Sequence, residues 1–300
     1  MLHTKRMGMI TASLIGIMLL GGCMKGATET VKKEDNPLVS VQGYTGEGYD
    51  LPNGKENDKI AEDSREKVVS STEKFFLDTY KTNVKVHNIV GNKDGASVFV
   101  ESIEEPRFHT FAVIPIDNKG KVRPEGIWTE EGQVELSIKS GLYAMIYEEQ
   151  LKTLDTYLEG VVKEHPVVGK QEEAIQKTSS TGFTTPYYYI SIAGKSLDGL
   201  YEAYINDPQK TKEEWQAEAK NLQASPEDSL ITIQLYMKEK GSKPDQKIFD
   251  QMVADLEKME NLSPGSYSVF LNDNTINKGS ANNTKENKLE LNYPNEIKKP

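Results

Sequence analysis

The chain has a single cysteine, Cys23, among its 300 residues. One cysteine cannot form an internal disulfide or a cysteine-based metal site, so the fold must be stabilised by a buried apolar core. The apolar patterns that build such a core lie between positions 57 and 275. These roughly 220 residues are enough for one large domain or two small ones.

Cys23 follows a segment with the layout of a signal peptide. Lys5 and Arg6 precede an apolar run over residues 7–20. The run has about 14 residues, whereas a helix that spans a bilayer needs roughly 20. We therefore expect residues 1–22 to be a leader that is removed on export.

The sequence Leu20-Gly21-Gly22-Cys23 resembles the lipobox of bacterial lipoproteins, in which an aliphatic residue and two small residues precede a cysteine. The resemblance implies cleavage between Gly22 and Cys23, with diacylglyceryl and N-acyl groups, such as palmitate, on Cys23. Several acyl chains bind a membrane stably, because each buried methylene contributes roughly 0.8 kcal/mol. We expect a lipid-anchored protein on the extracytoplasmic face of the cell membrane.

The formal net charge is −10, and loss of the leader would make it more negative. An acidic surface argues against nucleic acid as a partner and against electrostatic adsorption to anionic lipid. The expected membrane contact is therefore the lipid on Cys23. The other expected partners are an envelope protein or a cell-wall component.

Composition divides the mature chain into four parts. Residues 23–56 are polar and rich in glycine, which predicts a flexible tether, and residues 276–300 are dominated by Asn, Lys and Glu, which predicts a disordered tail. Residues 57–132 and 133–275 carry the periodic apolar patterns. They are the two predicted folded segments.

The pattern of residues 57–132 predicts a helix packed on an antiparallel three-stranded meander. Apolar residues recur at three- and four-residue spacing over residues 57–80, which is typical of a helix with one buried face. Three runs rich in Val, Ile and Phe follow, and Asp94-Gly95 between the first two favours a hairpin turn. The sequence therefore predicts an α+β fold.

Residues 133–275 predict a second, mixed α/β segment. A short apolar run over residues 134–138 is followed by a long helix over residues 141–164 that Pro166 ends. Further strands are expected over residues 183–193, 230–237 and 266–271, with helix starts after Ser196, at Thr211 with Glu214, and at Ser242 with Asp245.

No residues form a recognisable catalytic or cofactor motif. His87, His109 and His165 remain after the leader is removed; strand alternation predicts that His87 faces solvent and that His109 is partly buried, while His165 lies at a helix end. Their spacing matches no metal site, and Asn272-Asp273-Asn274 is better explained as a turn. We expect no cofactor and no metal.

Aromatic residues are the remaining candidates for ligand contact. Tyr44 and Tyr49 lie in a glycine-rich stretch that is more typical of a linker, and Tyr188 lies between two tyrosines at the start of a strand. Either Tyr188 or its two neighbours face outward, because side chains alternate along a strand. Trp128 and Trp215 fit local packing equally well.

Two stretches carry a family resemblance. They are Tyr44-Thr45-Gly46-Glu47-Gly48-Tyr49, and Lys85-Val86-His87-Asn88-Ile89-Val90-Gly91 followed by Ser97-Val98-Phe99-Val100-Glu101-Ser102. With the lipobox, they resemble a domain-of-unknown-function family of uncharacterised lipoproteins from Gram-positive bacteria. The resemblance implies a single-membrane envelope as the setting, and it implies no activity or site residues.

The leading functional hypothesis is a non-catalytic binding or interaction module of the cell envelope. One alternative is an envelope hydrolase that uses carboxylates, because these are abundant. Another is an inhibitory or chaperone-like module, since a helix on a three-stranded meander is similar to propeptide and cystatin-like folds. Fold analogy alone does not establish function.

Overall fold

The computed structural model describes residues 37–180, 182–195, 197–220, 225–282 and 287–300. The expected leader and the expected processing site at Cys23 lie outside these residues, as does Ser196. Residues Asn36–Pro300 form one compact unit. Its main core joins Val98 of the first predicted segment to Leu142 and Ile233 of the second, so the boundary drawn at 132/133 crosses a continuous core.

Helices and strands alternate along the chain in an α+β arrangement, as the sequence predicted. The helices are α1 (Lys55–Asp63), α2 (Arg65–Tyr80), α3 (Gln133–Ile146), α4 (Glu148–Glu164), α5 (Glu172–Thr178), α6 (Asp198–Asn206), α7 (Lys212–Ala219) and α8 (Gln246–Lys258). The strands are β1 (Leu38–Ser40), β2 (Val84–Asn92), β3 (Gly95–Ser102), β4 (His109–Pro115), β5 (Val167–Val168), β6 (Tyr188–Ile192), β7 (Ser229–Met237), β8 (Gly265–Asn272), β9 (Thr275–Asn277), β10 (Lys288–Leu291) and β11 (Ile297–Lys299).

The first sheet is the expected antiparallel meander, in the order β2-β3-β4. It packs against α1 and α2, which replace the single predicted helix because the chain breaks at Ser64. Phe76 of α2 is fully buried in the core with Val98 and Val100 of β3. The helix-on-meander prediction is thus confirmed, with one helix divided into two.

A β-bulge interrupts the pairing of β2 with β3 between Val86 and Asn88. The extra residue is His87, whose side chain is 9% exposed and bonded to Glu101. The prediction that His87 faces solvent is therefore wrong. A bulge inserts a residue into the alternation and turns the side chain away from its expected face.

The second sheet has the order β10-β8-β7-β5, with β6 also paired to β7 and β11 also paired to β8. The pair β7–β8 is parallel and is connected through α8, whereas the other pairs are antiparallel. Ile231, Ile233 and Leu235 of β7 face the main core. The residues between them, including Gln234, lie on the opposite face because strand side chains alternate.

Helix α3 lies between the two sheets, where it contacts both β4 and β6. We expected a separate apolar run over residues 134–138 and a helix only from residue 141; instead α3 begins at Gln133 and the chain breaks at Tyr147 before α4. The helix approaches the β3–β4 loop closely at Gly141, where a Cβ atom would lie 2.6 Å from the Arg107 carbonyl oxygen. Glycine permits this approach.

The two ends of the described chain are more ordered than the composition predicted. Within the expected tether, β1 pairs with β9, and the buried Tyr44 packs in a small second cluster with Ala174 and Ile276. Within the expected disordered tail, β10 and β11 both pair with β8. Among the described residues, no helix is long and apolar enough to cross a membrane.

Candidate functional site

The main cavity of interest is a cleft of about 500 Å³ formed chiefly by α3, α4 and α7, which we call the α3–α4–α7 cleft. Helices α3 and α4 supply one wall and α7 the other, while β6 and the β3–β4 loop complete it. The lining side chains are Glu105, Ala144, Met145, Glu148, Leu151, Lys152, Asp155, Phe183, Tyr188, Lys210, Lys212 and Trp215.

The apolar part of the cleft consists of aromatic rings and aliphatic side chains. Trp215 and Tyr188 are 1% and 2% exposed, and the rings of Tyr188 and Phe183 lie 6.2 Å apart in a tilted arrangement. Met145 and Leu151 complete this surface. Cavities that bind organic molecules combine such a surface with a few polar groups.

A capping box fixes the start of α7 and with it Trp215. The Thr211 hydroxyl accepts a hydrogen bond from the Glu214 backbone amide at 3.3 Å, and the Glu214 carboxylate accepts one from the Thr211 amide at 2.7 Å. The sequence predicted this helix start, and the structure confirms it. The cap holds the first turn of α7, which carries Lys212 and leads into Trp215.

The three lysines of the cleft all have nearby partners. Lys212 and Lys152 both pair with Glu148, the second at 3.4 Å. Lys210 pairs with Glu218 and lies 4.7 Å from the centre of the Trp215 ring, within cation–π distance. These cations are therefore compensated by groups of the protein itself.

Asp155 differs from these residues because no described cationic side chain pairs with its carboxylate. Burial raises the pKa of Asp155, and a neighbouring hydroxyl, that of Tyr188, only partly offsets this. Burial also raises the pKa of Tyr188, to which the charge of Asp155 adds. The cleft therefore combines an uncompensated carboxylate with aromatic rings.

A second polar cluster lies on the meander. Glu101 accepts from His87 Nε2 at 3.0 Å and pairs with Arg107, and it lies opposite His109 in the register of β3 with β4. The hydrogen bond from His87 is the main reason that the pKa of Glu101 falls to about 2. Burial lowers the pKa of His109 to about 4, and its Nδ1 has no hydrogen-bond partner among the described residues. The expected burial of His109 is confirmed.

The other sequence candidates occupy structural positions. Tyr44 donates a hydrogen bond to the Lys278 carbonyl oxygen at 2.8 Å, and Tyr49 meets the Phe99 ring edge-on at 5.5 Å. His165 caps the C-terminus of α4, and Asp273 accepts bonds from Thr275 in a turn. Within the described part of the chain, no three His, Cys, Asp or Glu side chains are grouped to hold a metal ion.

The cleft contains Tyr188, which the sequence singled out as a possible ligand contact. It also contains Trp215, for which the sequence left both packing and ligand contact open. Sequence reasoning missed Asp155, Lys152 and Lys212. Aspartates and lysines on amphipathic helices usually face solvent, so their spacing carried no signal. Asp155, whose carboxylate has no described cationic partner, directly follows the buried Leu154 in the sequence.

Comparison with known proteins gives a family and a fold. No curated protein matches the chain. The crystal structure of a DUF1672 family protein from Staphylococcus aureus matches with a TM-score of 0.72 and 21% sequence identity, over 88% of this chain and 98% of that chain. The match shows a shared fold, in a relative from a Gram-positive bacterium.

A family model described as a protein of unknown function, DUF1672, matches residues 31–299. This span contains the tyrosine-containing stretch and the strand sequences on which the family resemblance was based, so the expected membership in a domain-of-unknown-function family is confirmed. The chain belongs to the DUF1672 family.

Proposed function

We propose that the protein is a lipid-anchored lipoprotein of the cell envelope whose folded region is a non-catalytic binding module. The anchor is supported by the order of charge, apolar run, small residues and Cys23 in the sequence. The family match begins at residue 31, which leaves the leader and Cys23 outside the family domain. That arrangement suits a domain attached to a membrane through its N-terminus.

The ligand of this module is an organic molecule that carries an ammonium group on an apolar body. The single observation that supports this is Asp155, a carboxylate in an aromatic-lined cleft with no cationic partner among the described residues. A ligand ammonium would supply the missing charge, and the faces of aromatic rings attract cations as well. The body of the ligand would pack on Met145, Leu151 and Phe183.

The anchor is tested by detergent phase partitioning of the full chain expressed in a Gram-positive host. The mature protein should enter the detergent phase and carry the mass of acyl groups, whereas Cys23→Ala should do neither. Met24→Ala is the matched control and should behave as the wild type. Partitioning of the wild type and of Met24→Ala into the aqueous phase, with no acyl mass on either, would contradict the anchor.

The ligand is tested by calorimetric titration of the mature protein with hexylammonium and with hexanoate. We expect hexylammonium to bind and hexanoate not to bind, because only the first compensates Asp155. Asp155→Asn should weaken hexylammonium binding by about tenfold or more, as loss of a charged hydrogen bond does. Asp250→Asn, at an exposed position of α8, is the control. Equal binding of both probes, or an unchanged affinity in Asp155→Asn, would overturn the assignment.

A further inference from the structure

Lys170 lines a second cavity, of about 250 Å³, which we call the Lys170 pocket. It lies across β6 from the α3–α4–α7 cleft: Tyr188 lines the cleft, whereas the next residue, Tyr189, lines the pocket. Gln234 of β7 also lines it, on the face of the second sheet that turns away from the main core. The two cavities are therefore separated by one strand.

Lys170 has no described anionic partner. The Lys170 side chain is partly exposed, and its desolvation by the surrounding protein lowers its pKa to about 8. Lys139 offers a direct contrast, because its side chain is 8% exposed and pairs with Asp198 at 2.7 Å. An ammonium that is partly desolvated and has no described anionic partner carries a cost in free energy, which a bound anion would offset.

The backbone around Lys170 is held in place by close packing. The Lys170 amide donates to the Pro186 carbonyl oxygen at 2.9 Å. At the preceding Gly169, a Cβ atom would lie 2.5 Å from that same oxygen. The approach of these two chain segments requires glycine, and it fixes the point from which the lysine side chain extends.

The other described lining residues of the pocket are uncharged, and most of them are polar. Hydroxyl groups come from the end of α5 and the segment that follows it, and from the loop after β9. Gln234 adds a side-chain amide. Among the described lining residues there is no aspartate or glutamate, although the whole chain carries a net charge of −10. The hydroxyl-bearing lining residues are Tyr49, Thr178, Ser179, Ser180, Thr184, Tyr189 and Ser280.

We propose that the Lys170 pocket binds the oxyanion group, carboxylate or phosphate, of a small molecule. The ammonium of Lys170 supplies the charge, and neutral hydroxyl and amide groups supply further hydrogen bonds around the oxygens. Because the described lining of this cavity holds one lysine and no carboxylate, the cavity has the electrostatics of an anion site. This site is independent of the ammonium ligand proposed for the cleft.

The first test is protection of the Lys170 amine in the mature full-length protein. The amines are labelled with trinitrobenzenesulfonate and located by peptide mass spectrometry, with and without millimolar inorganic phosphate or acetate. We expect either anion to slow labelling of Lys170 and to leave the exposed Lys163 unaffected. Sodium chloride at the same ionic strength should protect neither residue. Labelling of Lys170 that is unchanged by both anions would overturn the proposal.

The second test compares Lys170→Met with Lys163→Met in calorimetric titrations with the same two anions. We expect Lys170→Met to lose at least about tenfold in affinity, since a hydrogen bond to a charged group is removed. Lys163→Met should bind as the wild type does. Equal affinity in all three proteins would contradict the proposal. The labelling test uses unmodified protein and does not depend on the folding of Lys170→Met. A preference for phosphate over acetate, or the reverse, identifies the oxyanion.

Discussion

Glu101 on the meander and Asp155 in the α3–α4–α7 cleft are both partly buried carboxylates, and they differ in whether a cationic side chain pairs with them. Glu101 has His87 and Arg107 as partners, and its pKa falls to about 2. Asp155 has no described cationic partner, and burial raises its pKa. The first carboxylate is satisfied by the fold itself. The second has no such partner among the described residues, and this difference separates a structural polar cluster from the ligand site proposed above.

The largest effect that separates these regions is expected from Glu101→Gln. Breaking a buried ion pair by removing one partner costs about 3–5 kcal/mol, and we expect about 3 kcal/mol here because Arg107 is partly exposed. Urea unfolding of the mature protein at pH 7 measures the loss. Glu104→Gln, at an exposed position of the next loop, should change the free energy of unfolding by less than about 0.5 kcal/mol. Equal effects of both changes would remove the contrast.

The meander should also make the protein sensitive to acid. Because the pKa of His109 is about 4 in the folded chain and 6.5 is its ordinary value, the unfolded chain binds a proton between these values that the folded chain does not. Stability is therefore lost as the pH falls through this window, by about 2 kcal/mol between pH 7 and pH 5. Glu101, with its lowered pKa, adds a loss only below about pH 4.5.

Urea unfolding at pH 7 and at pH 5 measures this dependence, and His109→Gln should reduce the difference between the two values. His165→Gln, at the end of α4, is the control and should keep the wild-type difference. An unchanged pH dependence in His109→Gln would show that His109 is not the group responsible.

On the cleft side, Thr211→Ala should destabilise the protein by about 1 kcal/mol, because it removes the N-cap of α7. Thr211→Ser keeps the hydroxyl and should retain most of the stability. Urea unfolding again measures the effect. A larger loss for the serine variant than for the alanine variant would show that the cap does not hold this wall of the cleft.

The smallest expected effect has the opposite sign. Because its pKa is raised, the ionised form of Asp155 is disfavoured in the folded chain. The protonated form therefore contributes stability at low pH, and this contribution is lost as the pH rises through the raised pKa. Asp155→Asn should therefore raise the free energy of unfolding at pH 7, by less than about 1 kcal/mol because solvent reaches part of the group. Asp250→Asn should leave it unchanged. A clear loss of stability in Asp155→Asn would make Asp155 a structural residue like Glu101.

The sequence predicted best those parts that depend on neighbouring residues. The meander follows from three short apolar runs, and the capping box at Thr211 is read from two residues. The bulge at His87 was missed because it arises from the pairing of β2 with β3, which no local pattern records. Residues 134–138 were misread because Val134, Leu136 and Ile138 also alternate as in a strand.

Long-range pairing explains the remaining differences. Leu289 and Leu291 interrupt a polar segment that looks disordered, and they become ordered only because β8, which precedes them in the chain, accepts them as a strand. The candidate site was hidden for a related reason. Asp155 is one of 46 acidic residues, and only the three-dimensional arrangement of the cleft shows that no described cationic side chain pairs with it.

The pairing of β1 with β9 has a mechanical consequence under the proposed attachment through Cys23. About 14 residues separate Cys23 from β1, the first described strand, and even a fully extended chain of that length spans no more than about 50 Å. Among the described strands, β1 is the first that a pull on the proposed anchor would load, through its three residue pairs with β9. Those pairs hold the residues just before Tyr44 against a strand far along the sequence, so a tensile load would act on contacts between distant parts of the chain.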